Sequence, residues 1–220
     1  MNTATNSSLI KKSSTDASPR VLTVEERTTS PSGIVVIGAS LGGTRAISYL
    51  LTGLPRSFPL PVALVLHRAT DSDASLREVL QRHSTLPVFE AEDKMQAVAG
   101  HVYLAPANYH LLVGEDCFSL STEAPVVCAR PSIDILFDSA SAACGSDTLG
   151  ILLTGASNDG AFGASKICEG GGVMLVQYPK TAECPIMPQA AISAAAASRI
   201  LTLDAISEVL CHLPQGQDRG

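Results

Sequence analysis

Ile34-Val35-Val36-Ile37-Gly38-Ala39-Ser40-Leu41-Gly42-Gly43 is the stretch that decides the fold. Its first four residues are all β-branched and read as a buried apolar strand. Small residues then make a turn, and Ser40 sits in it. A helical pattern follows, with Ile47, Leu50 and Leu51 on one face. A strand–turn–helix of this kind lifts a serine hydroxyl above the sheet edge and surrounds it with unpaired helix N-terminal amides. Those amides suit a negative charge developing beside the serine. Ser40 becomes a nucleophile only if the remaining chain brings it a base and an acid to hold that base.

Outward from this stretch, Val62-Ala63-Leu64-Val65-Leu66 reads as a second buried strand, ending at His67. A Ser/Asp-rich turn, Thr70 to Ser75, leads into a helix from Leu76 to His83, with Asp71, Ser72 or Asp73 as its cap. Short strands are expected at 87–91, 102–105, 109–113 and 117–120, the last two joined into a hairpin by Gly114-Glu115-Asp116. Ser132 is a candidate N-cap for a helix from Ile133 to Cys144. Leu149 to Thr154 is a third buried strand, followed by the turn Gly155-Ala156-Ser157-Asn158-Asp159-Gly160 and a helix from Ala161 to Glu169. Val173 to Gln177 is a fourth buried strand, and helices at 188–197 and 203–213 complete the chain. Buried strands alternating with helices predict an α/β fold: a doubly wound, mostly parallel sheet with helices on both faces and an antiparallel hairpin at one edge.

The totals narrow the function. The 220 residues suit one medium domain plus a tail, and 45% apolar content is enough for a full core. A net charge of −6 with scattered Lys and Arg gives no support to a nucleic-acid or membrane-surface role. Cys117, Cys128, Cys144, Cys168, Cys184 and Cys211 form no metal-binding spacing, and we expect reduced, mostly buried thiols in a cytoplasmic protein without a metal. No apolar run reaches membrane-spanning length. Residues 1–32 lack the apolar segment of a signal peptide and read as a disordered Ser/Thr-rich tail, with 214–220 as a flexible C-terminus.

In a doubly wound sheet, functional groups gather at the carboxyl ends of the strands. Ser40, His67 and Asp159 all stand there. A hydroxyl, an imidazole and a carboxylate are the parts needed for acyl transfer. Each also has a plainer reading: a capping serine, a hydrogen-bonded structural histidine, a turn aspartate. His83, His101, His110 and His212 follow no strong parallel strand and are expected on the surface. Gly38-Ala39-Ser40-Leu41-Gly42 formally matches the G-x-S-x-G nucleophile elbow, but the order Ser, His, Asp differs from that of α/β-hydrolases. A dinucleotide site is disfavoured, because the glycines do not spell G-x-G-x-x-G and His67 stands where a ribose-binding acid is expected.

Several blocks occur in order: Ile37-Gly38-Ala39-Ser40-Leu41-Gly42-Gly43-Thr44, Val65-Leu66-His67, Ala91-Glu92-Asp93, Val102-Tyr103-Leu104-Ala105-Pro106, Arg130-Pro131-Ser132-Ile133-Asp134-Ile135-Leu136-Phe137, Leu153-Thr154-Gly155-Ala156-Ser157-Asn158-Asp159-Gly160-Ala161 and Met187-Pro188. Together they resemble the catalytic domain of the chemotaxis protein-glutamate methylesterase family, CheB, over most of the chain outside the tail. The resemblance implies a catalytic domain over residues 33–213, with Ser40 as nucleophile, His67 as base and Asp159 as acid. It implies hydrolysis of glutamyl methyl esters on methyl-accepting chemotaxis receptors, often with deamidation of receptor glutamines, and no cofactor. The backbone amides of Leu41 and Ala156 would then hold the oxyanion. Leu41 departs from the Thr common at this position, which leaves the amide donor but alters substrate contacts. About 33 residues precede the first strand, too few for the receiver domain usual in the family, so receiver control is not expected within this chain; constitutive activity, control by a separate partner and a chemosensory-like pathway unrelated to swimming are the open alternatives. The alternative is a non-catalytic, regulatory module that docks on receptors.

Overall fold

A computed structural model describes Met1 and residues 33–67, 75–115 and 117–213. The expected tail, the caps Asp71 to Asp73, Asp116 of the hairpin turn and the C-terminal 214–220 lie outside the described residues. The chain runs β1 (Ile34–Ala39), α1 (Gly43–Gly53), β2 (Val62–Leu66), α2 (Ser75–Arg82), β3 (Val88–Glu90), β4 (Val102–Leu104), β5 (His110–Val113) and β6 (Phe118–Ser121). It continues through α3 (Ile133–Cys144), β7 (Thr148–Leu152), α4 (Ala161–Glu169), β8 (Val173–Gln177), α5 (Ile186–Ser193), β9 (Arg199–Leu201) and α6 (Leu203–Cys211).

Seven strands form one sheet in the order β3-β4-β2-β1-β7-β8-β9, and every pairing in it is parallel. All of β1 is buried, with β2 and β7 on its two sides. Its alternating side chains feed two cores. Val35, Ile37 and Ala39 join Ala46, Ile47, Leu50 and Leu51 of α1 and residues of α2 and α6 on one face. Ile34 and Val36 join α3, α4 and α5 on the other. The period-2 alternation of a strand therefore meets an amphipathic helix face on each side, as the doubly wound reading requires. The chain winds one way from β1 through β2 and the other way through β7, so the strand order reverses between β1 and β7. A crevice opens at the carboxyl ends there.

The hairpin is present, but β5 and β6 form their own two-stranded antiparallel sheet. Leu111, Val113 and Phe118 turn its apolar face onto Leu136 and Phe137 of α3. The edges of the main sheet are the short strands β3 and β9 instead. β9, three residues long, has no alternation in its sequence to reveal it. The helix expected at 188–197 runs from Ile186 to Ser193. Ala195 adopts φ 53 and Ala196 N–H bonds back to Ala191 O, so an alanine run that favours helix is turned to bring Arg199 alongside β8. The cysteines are free as expected but not mostly buried: Cys128 and Cys211 are exposed and the other four are half-buried. His110 is a second correction, being 1% exposed rather than on the surface.

Gly38 is where α3 crosses β1. A Cβ there would lie 2.3 Å from Ile133 Cγ2 at the start of α3. Gly38→Ala should cost about 1–3 kcal/mol by overpacking. In a chemical-denaturation cycle with Ile133→Ala, the double variant should be less destabilised than the sum of the single ones. Strict additivity would mean that the two positions do not touch.

Candidate active site

Ser40 follows β1 directly. Its N–H donates to Thr154 O at 3.0 Å, and its carbonyl accepts from Gly43 N–H at 2.8 Å. Gly42, with φ 80, is the N-cap of α1, so the Ser40 side chain is not the cap of that helix. His67 follows β2, and its N–H bonds to Ala39 O at 3.0 Å. The parallel pairing of Ala39 with Leu66 thus sets Ser40 and His67 on adjacent strand ends. Asp159 comes from the turn before α4, whose N-cap is Gly160 at φ 95. His67 Nε2 lies 2.7 Å from Asp159 Oδ2, with the imidazole 16% exposed and the carboxylate 0%. Sheet topology thus gathers all three sequence-derived candidates at one edge and brings two of them into contact.

The Asp159 carboxylate accepts four hydrogen bonds. Oδ2 takes His67 Nε2–H and Ile133 N–H at 2.7 Å; Oδ1 takes Ser132 Oγ–H at 2.9 Å and Asp134 N–H at 3.0 Å. Burial pushes this acid up, but the bonds from His67, the Ile133 and Asp134 amides and Ser132 outweigh it and hold Asp159 below its ordinary value. An ionised carboxylate only accepts, so His67 carries its proton on Nε2 and presents Nδ1 as the basic nitrogen.

Ser132 stands at the N-cap of α3 but does not cap its own helix; its hydroxyl goes to Asp159. The free amides at the start of α3 are taken by Asp159 instead. The arrangement is reciprocal. Asp134 Oδ1 accepts from Gly160 and Gly163 N–H at 2.8 Å each, at the start of α4. The start of α3 is capped by Asp159 from the turn before α4, and the start of α4 by Asp134 of α3. Sequence reasoning missed Asp134: an acid in the first turn of a helix is unremarkable until its partner segment is known. It missed His110 too, which accepts from Ser132 N–H through Nδ1 and donates Nε2–H to Ala124 O, both at 3.2 Å.

Two backbone amides are aimed by hydrogen bonds on their own peptides. Gly43 N–H holds the Ser40 carbonyl, and Met187 N–H holds the Gly155 carbonyl at 2.9 Å. In a trans peptide the N–H points opposite to the C=O. The Leu41 and Ala156 amides are therefore oriented away from those anchors, and neither donates to another described residue. Gly155 permits the approach: a Cβ there would lie 2.9 Å from Ser40 Cβ and 2.6 Å from Met187 Sδ. Among the described residues no group of His, Cys, Asp or Glu is placed to hold a metal ion. A hydroxyl, a carboxylate-bound imidazole and two outward amides are equipped for acyl transfer.

Burial raises Asp134 from 3.8 to about 6, aided by the Asp159 charge and opposed by the Gly163 and Gly160 amides. A carboxyl raised by folding contributes stability at low pH and loses it as pH rises from its unfolded to its folded value. Asp159, being lowered, acts below that window. Asp134→Asn keeps an oxygen acceptor for Gly160 and Gly163 without the charge. Urea unfolding from pH 4 to 7 should show wild type losing stability relative to Asp134→Asn as pH rises. Parallel curves would refute the assignment.

Residues 35–210 match the family model for the CheB methylesterase. A protein of Leptospira interrogans is 42% identical over 182 residues, covering 82% of this chain and 94% of that one. The protein-glutamate methylesterase/protein-glutamine glutaminase 2 of Anaeromyxobacter dehalogenans is 42% identical over 180 residues, covering 82% of this chain. This chain spans only 53% of that longer relative. The crystal structure of the Thermotoga maritima CheB methylesterase catalytic domain matches with a TM-score of 0.80 at 33% identity, over 83% of this chain and 98% of that one. On sequence and fold together, the chain belongs to the CheB methylesterase family.

Proposed function

We propose that residues 33–213 form a serine hydrolase that removes methyl esters from glutamate side chains of methyl-accepting chemotaxis receptors. The observation that carries this reading is the 2.7 Å contact of His67 with a fully buried Asp159, at the strand end next to Ser40, in a chain of this family. Ser40 is the nucleophile, His67 the base and Asp159 the acid that orients the base.

His67 Nδ1 takes the Ser40 proton as Oγ attacks the ester carbonyl. The Leu41 and Ala156 amides donate hydrogen bonds to the developing oxyanion. The imidazolium returns its proton to the leaving methoxide, and methanol departs. His67 then activates a water, which cleaves the acyl-serine and frees a glutamate side chain. Asp159 stays ionised, fixing the tautomer and stabilising the transient imidazolium. A glutamine side chain enters the same acyl-enzyme with ammonia as the leaving group, so deamidation needs no further residue. Neither step requires a metal or an organic cofactor. Free cysteines fit a reducing, cytoplasmic setting.

Methanol release from membranes bearing methyl-esterified receptors tests the reading. Ser40→Ala should lower kcat at least ~10³-fold, as loss of a triad nucleophile does. Wild-type protein that binds these membranes but releases no methanol would establish the docking-only alternative. Asp159→Asn places an amide N–H₂ against groups that are themselves donors. It should lower kcat by up to ~10⁴-fold and also lower the unfolding midpoint. A fully active Asp159→Asn would remove this residue from the mechanism.

A further inference from the structure

Thr154 lies just beyond β7 and is 2% exposed. Its four polar connections reach three different segments. The backbone O accepts from Ser40 N–H at 3.0 Å, and the backbone N–H donates to Gln177 Oε1 at 2.9 Å. The hydroxyl accepts from Cys184 N–H at 2.8 Å. Its single proton has two carbonyls in reach, Leu41 O at 2.9 Å and Cys184 O at 3.3 Å, and the nearer is Leu41. Cys184 O is in any case taken by Gly155 N–H at 3.1 Å.

We infer that Thr154 is a positioning residue for the hydrolase: its hydroxyl ties the nucleophile turn to the 184–187 segment and so aligns the two oxyanion amides on one another. The inference rests on the serine-hydrolase reading above. One amide, that of Leu41, lies in a turn held at Ser40 O by Gly43 and at Leu41 O by Thr154. The other, that of Ala156, follows a carbonyl held by Met187, three residues beyond Cys184. The Thr154 hydroxyl is the side-chain bridge between these two supports. An oxyanion hole works because its donors are fixed before charge develops, so misalignment weakens the transition state more than the ground state.

Thr154→Val keeps the shape and removes the hydroxyl, leaving Leu41 O and Cys184 N–H without that partner. On methyl-esterified receptor membranes, kcat for methanol release should fall ~10–100-fold, less than for loss of a donor itself, with KM within about 3-fold. Thr154→Ser restores the hydroxyl and should recover kcat to within about 3-fold of wild type. If Thr154→Val does not fold, Thr154→Cys replaces it, since a thiol fills similar space but donates weakly. Unchanged kcat, a KM that rises in step with the loss, or no rescue by serine would each overturn the inference. Failure of the hydrolase reading looks different, because wild type itself would then release no methanol.

Discussion

A carboxylate with no solvent exposure is the constraint on which the site depends. Asp159 is an ionised group that has given up water entirely, and such a group is tolerated only when other donors replace the water. Four do so: one imidazole, one hydroxyl and two helix-terminal amides. Because two of these are the first amides of α3, the acid that orients His67 is also the cap of a helix from elsewhere in the chain. The same helix returns the favour through Asp134, which caps α4. The orientation of the His67 imidazole and the docking of α3 on α4 are therefore one structural event.

Close approaches make this interlock reachable. Gly38 lets the start of α3 lie directly on β1, and Gly163 lets α4 press against the backbone of Asp134. Gly155 lets the end of β7 pass between Ser40 and Met187. At each of these positions a methyl group would sit within 3 Å of a neighbour. The reversal of strand order falls between β1 and β7, whose ends carry Ser40 and the turn with Asp159, while His67 follows the neighbouring β2.

Much of this was legible beforehand because it is local. Four β-branched residues in a row make a strand, Ile47, Leu50 and Leu51 mark a helix face, and glycine clusters mark turns. From that succession the parallel sheet follows, and with it the meeting of Ser40, His67 and Asp159 at one edge. Departures arose where local preference met a longer-range demand. The alanines at 194–197 favour helix but must turn to deliver β9. Ser132 looks like a cap for α3, yet Asp159 does the capping and takes the Ser132 hydroxyl as well. His110 follows no strong strand, yet it is buried because the segment around Ala124 and the start of α3 both bond to it.

The sequence by itself determined the order of elements, the two-faced burial of the central strand and the three candidate side chains at the strand ends. These depend on periodicity and residue type, which any short window records. Only the tertiary structure decided which imidazole nitrogen faces the acid and which carboxylate caps which helix. It alone showed that Thr154 reaches a carbonyl 113 residues away. Those are hydrogen bonds between distant segments, and a donor or acceptor carries no mark in its own neighbourhood of the partner that folding will bring to it.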